Sequence, residues 1–397
     1  MALTRSEKWL LFVLALIQFG HIVDFMIMMP LGPQLMRIFQ ISPQQFGVLV
    51  SAYTFAAGTS GILSALFMDR YDRKNSLMFF FVGFCFGTFA CAFSSNYHFL
   101  LAARLFTGAF GGVLGSLIFA IVGDVIVPQK RGMAMGIVMS AFSAASILGV
   151  PFSLYLANHF NWHAPFVFLG GLGVCLLFII FRFVPPVRAH LDHQSGKNPF
   201  RTIFELLKDP SPQMALLFIM MLTLGQFSII PFLSPSLVAN AGLPELQLPL
   251  IYLVGGSCSL LASPTVGRLT DKYGKIKIFW ASALLSILPI LIITNLSSTP
   301  IPLILAVVGV FFVFSSGRMI PAMAMVTSSV TLVRRGSFMS LVSSSQQFAA
   351  AAGSLIAGQI VTRGSSGELL NYPLVGVFAV VTSLVGLFLA TRLKMVE

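Results

Sequence analysis

Asp69-Arg70-Tyr71-Asp72-Arg73-Lys74 stands between two long apolar runs, at 46–68 and 76–95. Some two hundred residues later, Gly267-Arg268-Leu269-Thr270-Asp271-Lys272-Tyr273-Gly274-Lys275 stands between two others, at 247–269 and 276–295. Asp69 and Asp271 are 202 residues apart. A second landmark, Arg131-Gly132 before the run at 132–158, returns as Arg335-Gly336 before the run at 336–361, an offset of 204. Chance basic loops would supply charge but not this register, so the chain reads as a duplication.

Working outward, the remaining apolar windows are 10–38, 99–125 and 164–184 in the first half, and 212–239, 300–328 and 371–391 in the second. One membrane-spanning helix needs about 20 predominantly apolar residues. The spacing therefore predicts twelve transmembrane helices: a six-helix bundle over 1–184, a polar linker over 185–211 and a second bundle over 212–397. Composition agrees: 57% of the 397 residues are hydrophobic and 9% charged, and the mean hydropathy is +0.92. A soluble domain requires more polar surface than that. The uninterrupted apolar runs exclude a barrel, whose strands alternate. The run after Lys8 lacks a small-residue cleavage site and reads as the first span, not a removed leader.

A net charge of +12 raises the question of nucleic acid, but the basic residues sit in short clusters between apolar runs. Twenty of the 24 fall on one side: Arg5, Lys8, Arg70, Arg73, Lys74, Lys130, Arg131, the cluster from Arg182 to Lys208, that from Arg268 to Lys277, Arg334, Arg335, Arg392 and Lys394. Positive loops stay cytoplasmic, so both termini are expected inside, in an inner (plasma) membrane. Of the other four, Arg104 and Arg318 lie within spans, Arg37 ends the first span and Arg363 is in an opposite-side loop. Cys85, Cys91, Cys175 and Cys258 all fall in spans without a CxxC pair, and read as packing residues. No phosphate-binding loop, HExxH, nucleophile elbow or Cys/His cluster appears, so no enzyme, metal or cofactor is expected.

These motifs resemble the major facilitator superfamily over nearly the whole chain. Its loop motif, G-x-x-x-D-R/K-x-G-R/K-x, is matched by Gly267, Asp271, Lys272, Gly274 and Lys275. The first copy keeps Asp69, Arg70, Arg73 and Lys74 but has Ala65 and Asp72 where the family has glycine. Arg104 followed by Gly108, Gly111, Gly112 and Gly115 is similar to the arginine-then-glycine pattern of drug and sugar exporters. Gly149-Val150-Pro151, followed by Asn161-Trp162 and Phe166, looks like a variant of the antiporter motif found in the sugar-efflux or arabinose-efflux branch. The resemblance implies two bundles rocking about a midplane site and a monomeric, proton-coupled antiporter. It also implies a gate in which Asp69 faces a helix N-terminus and Arg70 or Arg73 approaches Asp124, with Arg131 and Asp271 in the same roles.

Asp24 is the one acid placed by sequence in the middle of a span, about 21 Å from the span's start at 1.5 Å per residue. A charge there is costly and marks a functional site, and burial disfavours the ionised carboxyl, which is what a proton carrier needs. His21 and Gln18 precede it by one and two turns and can share its face. Arg104, read as five residues inside the outer end of its span, is the candidate charge partner, although the two depths differ by several ångströms. Gln18, Tyr53, Gln226, Tyr252, Arg318, Gln346 and Gln347 are the candidate solute contacts. Pro30, Pro33, Pro231, Pro235 and Pro321 are expected to bend their helices. The leading expectation is proton-driven efflux of a small sugar-like or amphipathic solute. Uptake of a small anionic solute is an alternative for which Arg318 is the pointer. A lysolipid transporter is another, because Asp-Arg-Tyr-Asp-Arg-Lys is close to the Asp-Arg-Tyr-Asn-Arg-Lys run of spinster-like members.

Overall fold

A computed structural model describes residues 3–64, 68–188, 205–331 and 335–393, with the side chains of Asp69 and Pro128 outside the description. Arg334, Lys394 and the linker residues 189–204 therefore lie outside the described residues. The helices are α1 (Arg5–Ile27), α2 (Gly32–Ile38), α3 (Pro43–Ser64), α4 (Arg73–Ala92), α5 (Tyr97–Val125), α6 (Pro128–Ala144), α7 (Val150–His159) and α8 (Ala164–Phe183). After the linker come α9 (Pro210–Ala239), α10 (Leu248–Tyr273), α11 (Lys275–Thr294), α12 (Ile301–Thr327), α13 (Arg335–Ile360) and α14 (Tyr372–Arg392). A two-stranded antiparallel hairpin, β1 (Thr362–Arg363) and β2 (Leu369–Leu370), joins α13 to α14.

Among the described residues, eleven helical runs are long and apolar enough to cross a membrane, α6 and α7 counting as one continuous run from Gln129 to His159. The twelfth, α13, has the length at 26 residues but carries Ser343, Ser344, Ser345, Gln346 and Gln347 in its middle. This is a multi-pass membrane protein of twelve spans. Its outer surface is apolar: Phe86, Phe178 and Leu261 are among the many large side chains left exposed, as a hydrocarbon solvent favours. The phenylalanines serve both environments, since Phe46, Phe166, Phe232 and Phe338 are buried.

The first expected span, 10–38, is not one helix. The helix α1 ends at Ile27 and a turn at 28–31 leads into α2. Pro30 cannot donate a backbone hydrogen bond and Pro33 sits at the start of α2, where proline is tolerated. In contrast, α9 runs through Pro231 and Pro235, α10 through Pro264, α11 through Pro289 and α12 through Pro321.

The chain forms two compact units, and the division falls at this break. One contains α1, α3 from Ala52 onward and α4–α8; the other contains residues 28–51 and α9–α14. Residues 28–51 thus join the second unit, which differs from a boundary in the linker alone. Small residues make that packing possible. A Cβ on Gly47 would lie 2.7 Å from the Ser354 carbonyl oxygen, and one on Gly32 would lie 2.8 Å from both Phe46 and Pro235. The rings of Phe46 and Phe232 meet edge to face at 5.8 Å. At the end of α2, Arg37 Nη2 donates to Glu245 Oε2 at 3.1 Å.

The duplication read from the sequence recurs as geometry inside each unit. Arg73, opening α4, donates through Nε to Asp124 Oδ2 at 3.2 Å in the last turn of α5. Lys275, opening α11, donates to Ser328 Oγ at 2.7 Å at the end of α12. Asp124 and Ser328 are 204 residues apart, the same offset as the arginine-glycine landmarks. One tie joins two opposite charges and its repeat joins a cation to a neutral hydroxyl. The two loop copies also diverge in backbone. Gly274 holds φ +93°, a conformation suited to glycine, between α10 and α11. Asp72, at φ −55°, instead caps α4 by accepting from the Lys74 N–H at 2.8 Å.

Candidate functional site

Among the described residues, the first unit fully buries one ion pair. Asp24 is 0% exposed and Arg104 1% exposed. Arg104 Nη1 donates to Asp24 Oδ2 at 2.8 Å and to the Asp24 backbone carbonyl at 3.3 Å. The Thr88 hydroxyl lies 3.2 Å from Oδ1 and 3.0 Å from the Phe84 carbonyl, so one proton has two acceptors. The guanidinium also stacks over the Tyr53 ring, 4.3 Å from its centroid.

The early end of α1 explains how two side chains of apparently different depth meet. Asp24 is three residues from the end of α1, not at the middle of a long straight span. Its carbonyl is among the last four of the helix, which lack intrahelical donors. Arg104, in the second turn of α5, supplies both a donor to that carbonyl and a cation at the negative end of the helix dipole.

Polar groups without partners gather beside this pair. His21 Nδ1 and Nε2, Tyr53 Oη, Gln18 Oε1 and Arg104 Nε are buried and have no hydrogen-bond partner. The His21 and Tyr53 rings lie 6.5 Å apart, and Phe84 meets His21 edge-on at 5.8 Å. The glycines of α5 make this possible. A Cβ on Gly108 would meet the Tyr53 carbonyl oxygen at 2.3 Å, and one on Gly112 the Ala57 backbone at 2.4 Å. At Gly111 it would strike the Tyr53 hydroxyl at 2.4 Å and lie 3.3 Å from His21. The arginine-then-glycine pattern is thus one device: a cation, then a channel of missing side chains into which α1 and α3 fit.

Against the last turns of α1 the fifth span changes winding. Ala145–Gly149 form a π-helical turn between α6 and α7, immediately before Pro151, whose missing N–H breaks the regular ladder. Gly149 faces α1 so closely that a Cβ would lie 2.2 Å from Val23. The Gly-Val-Pro variant therefore lets the fifth span press against Val23 and Phe19 of α1, a role its sequence does not announce.

At the end carrying the basic loops, three ion pairs among the described residues join helices or the segments flanking them. Besides Arg73–Asp124, Arg188 Nε donates to Asp72 Oδ2 at 2.7 Å and Lys130 Nζ to Glu7 Oε2 at 3.1 Å. Burial pushes the Asp72 carboxyl up. The bond from Arg188 and the backbone N–H groups of Lys74, Val187 and Asn75 outweigh it and hold the group below the usual carboxylate range. Of the alternatives Arg70 and Arg73, it is Arg73 that reaches Asp124; Arg70 is exposed. Arg131 Nε donates to the Ile126 carbonyl at 2.9 Å, and Asp271 is exposed. The Asp69 side chain lies outside the described residues.

In the second unit Tyr252 is not free: its hydroxyl pairs with Ser234 Oγ at 2.9 Å. Gln226, Gln346 and Gln347 are half-buried on α9 and α13. Arg318 is 1% exposed, and Nη1 donates to Ser383 Oγ at 2.8 Å and Ser286 Oγ at 3.5 Å. Sequence reasoning missed Thr88, Ser286, Ser383 and Tyr372, whose hydroxyl donates to the Ile229 carbonyl at 3.0 Å. Single hydroxyls in apolar helices carry no spacing signal.

Comparison with known proteins agrees with this architecture. The chain is 27% identical over 357 residues to the uncharacterized MFS-type transporter YceJ of Bacillus subtilis, spanning 89% of this chain and 88% of that protein. It is 22% identical over 248 residues to a probable sugar efflux transporter of Helicobacter pylori strain J99, covering 62% of each. A bacterial homologue of the human lysosomal transporter Spinster, in an inward-facing and occupied conformation, superposes with a TM-score of 0.77 at 15% identity, over 99% of this chain and 98% of that one. The profile of the Major Facilitator Superfamily matches residues 14–257 and 215–397. With twelve spans, a duplicated loop motif and that match over nearly its full length, the chain belongs to the major facilitator superfamily and is a membrane transporter, not an enzyme.

Proposed function

We propose that this transporter is a monomeric proton-coupled antiporter of the inner (plasma) membrane, with both termini cytoplasmic, that exports a small sugar-like or amphipathic solute by alternating access. The buried Asp24–Arg104 pair carries the reading. Its Coulomb attraction is large away from water, and protonating the carboxyl removes the charge on one side only. Arg104 then loses its strongest bond, while the Tyr53 ring and the Asp24 carbonyl remain to hold it. A proton thereby changes the relative free energy of conformers that hold Arg104 differently, which is all that coupling requires. The unpartnered groups of Gln18, His21 and Tyr53 are the solute or water contacts of this unit. His21, one helical turn from Asp24 with both ring nitrogens unpartnered, is assigned the proton relay.

The ion pairs Arg73–Asp124, Asp72–Arg188 and Lys130–Glu7 are assigned the cytoplasmic latch, together with Arg70, Arg131 and Asp271. Export, as opposed to uptake, is supported by the sugar-efflux name of the Helicobacter relative. In proteoliposomes loaded with a pH dye, whichever of arabinose, chloramphenicol and galacturonate is carried should drive proton entry as it moves down its outward gradient with wild-type protein, and none with Asp24→Asn. Proton movement that persists at the wild-type rate in Asp24→Asn rules out this role for Asp24.

A further inference from the structure

The second unit holds a buried cation that its own sequence cannot neutralise. Arg318 lies in α12 with 1% of its surface exposed. Among the described residues no carboxylate lies within 4.0 Å of it: the ion pairs are Arg37–Glu245, Arg73–Asp124, Arg104–Asp24, Lys130–Glu7 and Arg188–Asp72. The sequence explains why. From Asp271, exposed in the last turn of α10, to Glu368 in the hairpin loop, there is no acidic residue. Glu205 and Asp209 precede α9, and Glu245 precedes α10. None of these can reach the interior of α12 without unfolding a helix.

The hydroxyls around Arg318 act as acceptors toward it. Ser286 donates its own proton to the Ala283 carbonyl at 2.7 Å, and Ser383 to the Ala379 carbonyl at 2.7 Å. Both serines bond Nη1. Nε, on the other edge of the guanidinium, has no partner, and neither does Ser315 Oγ, one helical turn earlier and 3% exposed. What remains is a buried positive charge with an unused N–H edge and an unused hydroxyl donor nearby. An anion satisfies all three needs, and a carboxylate or phosphate oxygen pair matches the edge of a guanidinium. A neutral solute leaves the charge unmatched. The contrast with Arg104 is direct: the first unit supplies its own counter-ion in Asp24 and the second does not.

We propose that Arg318, with Ser315, is the anchor for an anionic group on the transported solute, a carboxylate or phosphate borne on a small polar body such as a sugar acid or sugar phosphate. This deepens the transporter reading and rests on it only for the word transported. It also predicts that the unliganded protein carries an unneutralised buried charge, so that an apolar replacement of similar length does not weaken it.

The test uses the purified full chain in detergent at constant ionic strength, with galactose, galacturonate, galactose 1-phosphate, acetate and chloride as probes and melting temperature as the readout. Galacturonate or galactose 1-phosphate should raise the melting temperature by about 5 °C at saturating concentration, galactose should not, and chloride should not reproduce the effect. Arg318→Gln should weaken the apparent affinity at least about ten-fold. Arg318→Lys, which keeps the charge but loses the fork, and Ser315→Ala, which leaves the Ser286 and Ser383 bonds in place, should each give a smaller loss. Without ligand, Arg318→Met should melt at or above the wild-type temperature.

No stabilisation by either anionic sugar overturns the proposal. So does an equal response in Arg318→Gln, or an unliganded Arg318→Met that melts far below wild type or fails to fold, because Arg318 is then a structural tie. A shift reproduced by chloride alone reassigns the niche to an inorganic ion and overturns the solute assignment. Exchange of labelled solute in proteoliposomes separates this from the parent reading. Binding of galacturonate without exchange sinks the transporter reading and spares the anion site. Exchange of neutral galactose that ignores Arg318→Gln sinks the anion site and spares the transporter.

Discussion

Removing Arg104 and removing Asp24 should have unequal and strongly non-additive effects on stability. Arg104→Gln deletes the 2.8 Å bond to Oδ2 and leaves a fully buried carboxylate with the shared Thr88 hydroxyl as its remaining donor. Breaking a buried pair in this way costs about 3–5 kcal/mol. Asp24→Asn leaves the guanidinium over the Tyr53 ring, worth about 0.5–2 kcal/mol, and bonded to the residue-24 carbonyl, so the expected loss is smaller, about 2–3 kcal/mol. The double variant buries no unmatched carboxylate and should lie close to Asp24→Asn, so the coupling energy should match the Arg104→Gln deficit, about 3–5 kcal/mol. The assay is denaturant unfolding of the four proteins in mixed micelles at pH 5.5 and pH 8. The deficit of Arg104→Gln should shrink at the lower pH, because protonation of the stranded carboxyl relieves it. That of Asp24→Asn should stay level, because arginine does not titrate there. Additive single effects, with coupling below about 0.5 kcal/mol, would refute the buried-pair account.

Helix packing and capping give further expected outcomes. Gly108→Ala and Gly112→Ala place a methyl against the backbone of Tyr53 and Ala57, and each should lower stability by about 1–3 kcal/mol in a thermal melt. Gly123→Ala in the same helix meets nothing within 4 Å and should be near neutral. Tyr53→Phe removes a hydroxyl without a hydrogen-bond partner. It should leave the melting temperature within about 2 °C of wild type while reducing solute affinity. A fall in stability without a fall in affinity would make the hydroxyl structural. Asp72 is held below the usual carboxylate range in the folded protein. Its contribution is therefore complete above the ordinary value near pH 3.9 and lost as pH falls through the lower folded value. Asp72→Asn should be less stable than wild type at pH 6, and the gap should close as the pH falls below the ordinary carboxylate range.

The architecture was legible because membrane spans are coded by runs of apolar residues, a signal that survives any detail of packing. The repeat was legible for a related reason: Arg73 and Lys275 open equivalent helices and must tie down equivalent neighbours, so their spacing persists. The break in α1 was only half visible. Pro30 and Pro33 mark a disturbance, but the same residue type at 231 and 235 leaves α9 continuous, because neighbouring packing decides whether a kink becomes an end. That ambiguity is why Asp24 and Arg104 look mismatched in depth by sequence and yet meet at 2.8 Å. The loop motif illustrates the opposite case. Asp72 looks like a lost glycine, and only the backbone shows that it became a helix cap. Tyr252 and Tyr53 are alike in sequence, each an aromatic in an apolar span. One is tied to Ser234 and the other is unpartnered beside a cation, a difference made entirely by tertiary neighbours.

Whether Asp24 carries the coupled proton is decided by setting solute exchange against gradient-driven flux in the same proteoliposomes. Exchange at equal pH on both sides needs the solute path but no net proton movement. Flux driven by a pH gradient needs both. Asp24→Asn should retain exchange and lose the response to the gradient. An Asp24→Asn protein that still concentrates solute against its gradient at the wild-type level would show that the coupled proton travels elsewhere.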